Sequence, residues 1–212
     1  TLDALAGHAA DLPAEAVEAW RKILARDSEA ASGAARDRPA IGEAISLVEA
    51  GLEEIRRWDL GVDSWRLVDA GLIDTYRRGR KAMKAASSNH ADAELHEWRK
   101  RAKDLWHELR LFASAWPGPL EATAREAHRL SDLLGEHHDL AGLREDLRQR
   151  NLGVTETAAL EAAIDARQEE LAVRALSLGR RLYAERPKAF ARRLRRYWEA
   201  RRFSQPVVGK SA

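Results

Sequence analysis

Residues 95–112 form a segment in which the cationic side chains share one side. The segment reads Leu-His-Glu-Trp-Arg-Lys-Arg-Ala-Lys-Asp-Leu-Trp-His-Glu-Leu-Arg-Leu-Phe, and its apolar residues recur at helical spacing. At about 100° per residue, the basic side chains fall within about 80° of one another, beside the apolar stripe. Like charges gathered in this way repel unless an anion relieves them. The pattern therefore predicts a row of phosphate ligands: His96, Arg99, Lys103, His107 and Arg110, with Lys100 at its border.

Two further segments also gather their cationic side chains on one side of a predicted helix. One row comprises Arg77, Arg80, Lys81 and Lys84, and the other comprises Lys188, Arg192, Arg195 and Arg196, with Phe190 and Leu194 on the apolar side of that helix. Both rows follow helical i, i+3, i+4 spacing. We expect the three rows to line one groove, and the alternative is that each faces solvent in its own direction.

A histidine pair follows Leu134-Gly135. We expect Gly135 to end one helix and a second helix to begin near His137. Backbone N–H groups at that helix start would then join His137 and His138 in donating to phosphate, with Asp139 fixing a histidine tautomer or pairing with an arginine. The alternative is a plain helix start in which Asp139 faces the helix dipole and no ligand binds.

The composition predicts an all-helical protein. Valine and isoleucine together fill 14 of 212 positions, whereas the abundant alanine, leucine, arginine and glutamate favour helices. Short connections between amphipathic segments imply antiparallel bundles. The seven tryptophans fall mostly on apolar faces, which predicts core or rim packing. The expected helices cover about 13–26, 39–57, 64–85, 93–115 (capped by Asp92 and ending before Pro117-Gly118-Pro119), 120–134, 137–150, 156–184 and 188–202, with a loop or a frayed helix end at 28–37.

Charge is strongly segregated along the chain although the net charge is only +2. Residues 76–110 carry 10 basic and 5 acidic side chains, and residues 180–202 carry 10 and 2. Two such basic blocks in a nearly neutral chain indicate a polyanionic partner. The absence of cysteine excludes disulfides and thiolate chemistry, and no apolar run reaches the roughly 18 residues of a membrane span.

The motifs together resemble the CHAD family, the conserved histidine α-helical domain. The resemblance lies in His96-x-x-Arg99-x-x-x-Lys103, in Leu-Gly-x-x-His-Asp at 134–139, in Tyr-Arg-Arg-Gly-Arg at 76–80, and in the closing Lys-Ala-Phe-Ala-Arg-Arg-Leu. It implies two four-helix-bundle halves related by an internal repeat, with basic residues lining a channel that takes inorganic polyphosphate. His96, Arg99 and Lys103 fall on the family signature, and Arg77, Arg80, His138 and Arg192 fall on its other basic positions.

The family's second His-x-x-Arg signature is missing from residues 1–75, where His8 has no basic face. We therefore expect an incomplete first half. The predicted organisation is the remainder of the N-terminal bundle at 1–62, the C-terminal bundle with the basic helices at 63–204, and a disordered tail at 205–212.

The sequence leads to one main functional hypothesis and two alternatives. The main hypothesis is non-catalytic binding of inorganic polyphosphate, without cofactor or metal, by a cytoplasmic protein that associates with polyphosphate granules. One alternative is a metal-dependent phosphohydrolase of the HD type using His138-Asp139 with His96, His107 and His128. The other is nucleic-acid binding through backbone phosphates, which the lack of clustered base-reading residues or an evident aromatic platform disfavours. No transmembrane segment is expected.

Overall fold

The computed structural model describes residues 38–58, 65–149 and 154–204, together with a few positions between 7 and 26. All the regular structure in these parts is helical, which confirms the predicted all-α class. The expected helix 13–26, the loop 28–37 and the tail 205–212 lie wholly or largely outside the described residues. The chain divides into two compact units, Leu2–Ser64 and Trp65–Ala212.

The first unit contributes one fully described helix, α1 (Arg38–Arg56). Its large apolar side chains recur at alternating four- and three-residue intervals, as amphipathic helices require. They are about half exposed or more: Ile41, Ile45, Val48, Leu52 and Ile55.

The second unit is a helical bundle. Its helices are α2 (Arg66–Asn89), α3 (Asp92–Phe112), α4 (Pro117–Gln149), α5 (Val154–Leu182) and α6 (Pro187–Ser204), with a 3-10 turn at Ala113–Ala115. Consecutive helices α2 to α5 pack side by side, as short connections between antiparallel helices require, and α6 packs on α2. Among the described helices, none combines the length and apolar character needed to cross a bilayer.

Two glycines allow the helices to approach closely. A Cβ atom on Gly179 of α5 would lie 2.4 Å from Cζ2 of Trp98, and one on Gly79 of α2 would lie 2.5 Å from the Tyr183 ring. Trp98 and Tyr183 are both fully or almost fully buried in consequence. Tyr76 stacks on Phe190 with ring centroids 4.1 Å apart, which fixes α6 against α2.

The tryptophans divide between core and surface. Trp65 and Trp98 are buried, Trp106 and Trp198 are half-buried, and Trp58 and Trp116 are 58% and 47% exposed. Core or rim packing therefore describes most of them, while Trp20 lies outside the described residues.

Two predicted helix boundaries and one predicted cap are wrong. The helix expected to stop at Gly135 continues to Gln149, so no new helix begins near His137. The preceding helix ends before Pro117 as expected, and the Pro-Gly-Pro segment forms the first turn of α4. Proline is tolerated there because the first N–H groups of a helix have no partner within it. Asp92 is not a cap: Ala91 is the N-cap residue and makes no side-chain cap bond. The Asp92 carboxylate instead accepts a hydrogen bond of 2.6 Å from Arg144.

Candidate functional site

The cationic row of α3 lies beside α4. The His96 ring packs on the His138 ring with centroids 4.2 Å apart. One turn further along α3, the Arg99 side chain lies against Gly135, where an added Cβ would come within 3.3 Å of Nε. We call this surface the α3–α4 groove and define it by His96, Arg99, Lys103, His107 and Arg110 of α3 with Gly135 and His138 of α4.

Two polar atoms of this groove are buried without a hydrogen-bond partner among the described residues: Nδ1 of His96 and Nε of Arg99. Buried polar atoms in proteins are nearly always satisfied, so an exception needs a physical reason. Burial lowers the pKa of His96, and the neighbouring His138, Lys100 and Arg99 lower it further. His96 is therefore neutral near pH 7, and its surroundings favour an approaching negative charge.

The rest of the row is accessible to solvent. Lys103, His107 and Arg110 are exposed. Lys100, at the border of the row, forms an ion pair of 2.8 Å with Glu97. The acidic residues of α3 lie on its other side, where Asp104 and Glu97 bind Arg101 at 2.9 Å each. The helix thus carries its basic and acidic side chains on different sides, as its periodicity predicts.

His137 and His138 have different surroundings because α4 is continuous. His138 is exposed beside His96, whereas His137 is buried, with 3% of its surface accessible. Gln168 of α5 donates to the His137 carbonyl oxygen at 3.0 Å. Since no helix begins at this point, the expected backbone N–H donors are already used inside α4. Contrary to the expectation, neither His137 nor His138 stands at a helix N-terminus.

His137 belongs to a separate polar cluster at the end of the bundle. Its Nδ1 atom lies 3.8 Å from Asp92, and Arg144 bridges Asp92 and Asp165 at 2.6 and 2.8 Å. These residues and Gln168 line a cavity of about 320 Å³. Burial lowers the pKa of His137, and the nearby Asp92 carboxylate opposes that shift.

The row on α2 does not join the α3–α4 groove. Arg80 turns toward the connection after α5, where its guanidinium donates to the carbonyl oxygens of Tyr183, at 2.6 Å, and Glu185. Arg77 is exposed and pairs with Asp74 at 3.1 Å. Lys81 and Lys84 are also exposed, opposite the buried face of α2. Arg80 is therefore bound by backbone carbonyls in this structure.

The row on α6 faces solvent. Phe190 and Leu194 are buried, whereas the basic side chains lie about 140° around the helix from them. Arg195 pairs with Glu199 of its own helix at 2.7 Å. The exposed members of this row are Lys188, Arg192, Arg195 and Arg196. The expected single groove is thus limited in the structure to the α3 row and its α4 neighbours.

The proposed metal ligands of the HD alternative are not brought together. His138 lies against His96, while the rings of His107 and His128 both contact Trp106. In the part of the chain that the structure describes, no three histidine or acidic side chains form a group able to hold a metal ion.

The sequence pattern did not single out Trp106, a half-buried side chain next to the α3–α4 groove, as a functional candidate. Trp106 lies between α3 and α4 and lines a cavity of about 660 Å³. Its position on the helix offered a signal, because it is at the edge of the apolar stripe next to the cationic row. An edge position does not reveal a cavity, since the cavity depends on the side chains of the neighbouring helix.

The architecture and the groove together define an all-helical bundle protein with a cationic row along one inter-helix groove. The chain belongs to the CHAD domain family, whose sequence model matches residues 1–148. That family is linked to the binding of inorganic polyphosphate. The match includes the N-terminal segment in which no second signature was found, and it ends before α5 and α6. No curated protein and no solved structure matches the chain.

Proposed function

We propose that this protein binds inorganic polyphosphate along the α3–α4 groove and does not transform it. The observation that carries the proposal is the pair of buried, unpartnered atoms, His96 Nδ1 and Arg99 Nε, at the start of a row of exposed cations. The family membership supports the same ligand.

The chemistry of polyphosphate suits such a row. The polymer carries about one charge per phosphate and no bases, so regularly spaced cations suffice to hold it. Arginine offers two parallel donors to phosphate oxygens, and lysine acts as a point charge. His96 adds a donor whose strength increases on protonation, and His138 lies beside it. The groove thus contains three kinds of phosphate ligand along successive turns of one helix.

The residues present support a binding role without catalysis. Hydrolysis of phosphoanhydrides requires a positioned nucleophile and, in most enzymes, a metal held by carboxylates. The α3–α4 groove instead presents cations, which repel divalent ions. We accordingly expect no orthophosphate release from polyphosphate in the presence of the protein and Mg²⁺. Release above the protein-free rate would contradict this part of the proposal.

Charge reversal of Arg99 tests the site. We expect Arg99→Glu to weaken polyphosphate binding at least about 100-fold in isothermal titration calorimetry, because an attraction is lost and a repulsion is added. Arg180→Glu is the matched control, since it makes the same change of net charge at an exposed position of α5. Equal losses of affinity in both variants would show that net charge alone explains the effect, and would overturn the site assignment.

The other two rows are compared in the same assay. Lys84→Glu on α2 and Arg192→Glu on α6 reverse exposed charges away from the α3–α4 groove. We expect losses of less than about fivefold for each, because their side chains are solvated. A loss equal to that of Arg99→Glu would extend the binding surface to that row.

The proposed ligand also determines where the protein is expected. We propose that it acts in the cytoplasm and associates with polyphosphate granules through the same groove. Fluorescent fusions of the wild type and Arg99→Glu test this, because only the wild type is expected to colocalise with granules. Equal colocalisation of both would assign granule association to another surface.

A further inference from the structure

The far end of the α3–α4 groove contains a cavity whose lining is unlike the cationic row. It measures about 660 Å³, within the range of small-molecule sites, and lies between α3 and α4. Its lining includes Trp106, Arg110, Ala113, Glu121, Arg125 and His128. An aromatic ring and alanine methyl groups are thus combined with several cations and two acids, Glu121 and Asp132.

The Trp106 ring is held in place by its neighbours. The His128 ring meets it edge-on, with centroids 4.3 Å apart and planes at 76°. His128 is fixed in turn by an interaction of 2.8 Å between its Nδ1 and Asp132. A half-buried tryptophan oriented in this way is a preformed surface for a planar ring.

Arg110 connects this cavity with the cationic row. Its guanidinium carbon lies 5.2 Å from the centroid of the Trp106 ring, and its side chain is exposed. The same residue is the last member of the α3 row, seven residues or about 10 Å along the helix from Lys103. Aromatic and phosphate-binding elements therefore follow one another in one groove.

We propose that the α3–α4 groove binds nucleoside triphosphates, with the base in the Trp106 cavity and the phosphates directed along α3 toward Lys103. This inference rests on the proposed polyphosphate site and specifies a further ligand class for it. Arg110 leaves the tryptophan ring for the phosphate nearest the ribose, and His107 and Lys103 meet the outer phosphates. Glu121 supplies the acceptor that an exocyclic amino group of a purine requires.

The test compares ATP with inorganic tripolyphosphate, both without divalent cations, by calorimetry on the full chain. Tripolyphosphate carries the greater charge, so a purely electrostatic groove binds it more tightly. A base stacked on Trp106 reverses the order, and we expect ATP to bind at least about fivefold more tightly.

Substitution of the ring isolates its contribution. We expect Trp106→Leu to abolish the advantage of ATP while leaving tripolyphosphate binding within about twofold of the wild type. Trp106→Phe keeps an aromatic ring and is expected to retain part of the advantage of ATP. This variant provides a second test if the leucine variant does not fold. Trp116→Leu, at an exposed tryptophan outside the cavity, is the matched control and should leave both affinities unchanged.

The outcomes separate this inference from the proposed function. If tripolyphosphate binds at least as tightly as ATP, the base site is overturned and the phosphate site stands. If neither binds and long-chain polyphosphate also fails, both proposals fail. If a single-stranded RNA binds more tightly than ATP and Trp106→Leu removes that binding, the groove is a nucleic-acid site and the nucleotide assignment is overturned.

Discussion

At the scale of single residues, His96 and Arg99 define the site more sharply than the number of nearby cations does. The chain has 36 lysines and arginines, and many of them form ion pairs with acids of their own helix. His96 and Arg99 each have a buried nitrogen without a hydrogen-bond partner among the described residues, as Trp98 and Arg101 of the same helix also do, but only His96 and Arg99 lie on the cationic row. Such atoms are costly unless a ligand binds them, which makes them stronger evidence for a site than exposed charge.

The lowered pKa of His96 leads to a prediction about pH. Burial and neighbouring cations keep His96 neutral in the free protein, whereas a bound polyanion favours its charged form and raises its pKa. Binding therefore takes up a proton, so affinity rises as the pH falls through the pKa of the bound state. A rise of about one unit in the pKa of His96 on binding corresponds to a factor of ten in affinity. We therefore expect polyphosphate affinity to increase about tenfold between pH 8 and pH 5.5.

His96→Gln identifies the residue responsible, because glutamine retains hydrogen-bonding groups but does not titrate. We expect this variant to lose most of the pH dependence in calorimetric titrations. His90→Gln removes a histidine that pairs with Glu169 and lines the same cavity as His137, and this variant should retain the pH dependence. An unchanged pH profile in His96→Gln would assign the proton uptake to another group.

At the scale of elements, the continuity of α4 decides how the site is built. Glycine ends helices when it adopts a left-handed conformation, which is why Gly135 was expected to be a stop. In the structure Gly135 lies inside α4 and is buried, and the absence of a side chain lets Arg99 approach the helix. Glycine at this position therefore allows close approach of the Arg99 side chain to α4 and does not end the helix.

Gly135→Ala separates binding from stability. The new Cβ would lie 3.3 Å from Nε and 3.5 Å from Nη2 of Arg99, so the guanidinium must shift. We expect polyphosphate affinity to fall about three- to tenfold. Alanine favours a helix over glycine by about 1 kcal/mol, so the melting temperature should stay constant or rise by about 2–4 °C.

Gly142→Ala is the matched control for that variant. It lies on the same helix, is exposed, and would place its Cβ with no atom within 4 Å. We expect the same gain in melting temperature without loss of affinity, measured by differential scanning fluorimetry and calorimetry. Equal affinities in both alanine variants would show that the position of Arg99 against α4 does not matter for binding.

At the scale of the whole molecule, the basic blocks of the sequence do not become one surface within the second unit. The α3 row faces the groove with α4, Arg80 is bound by carbonyls after α5, and the α6 row is solvated. We therefore expect segregated charge along the chain to steer a polyanion toward the molecule, and we propose that the groove determines where it binds.

The dependence of binding on salt distinguishes steering from contact. Each cation that contacts phosphate contributes about one unit to the slope of log K against log salt concentration. We expect Arg99→Gln to reduce the magnitude of this slope by about one, and Arg180→Gln to leave it unchanged. Titrations from 50 to 200 mM salt measure it, and identical slopes in the two variants would exclude a direct contact by Arg99.

The amino-acid sequence determined the helical class and the division of charge around each helix. Helical propensity and the 3.6-residue period are local properties, so the α3 row and its apolar stripe follow from residues 95–112 alone. The same period placed the α6 cations opposite Phe190 and Leu194. These features needed no knowledge of the neighbouring helices.

The tertiary structure decided which faces meet. The pairing of His96 with His138, the burial of His137 against α5, the capture of Arg80 after α5 and the cavity beside Trp106 all involve residues distant in sequence. Such contacts depend on how two helices rotate and approach one another, and small residues such as Gly135 and Gly179 set that distance. Periodicity gives each helix its faces, but only packing gives each face its partner.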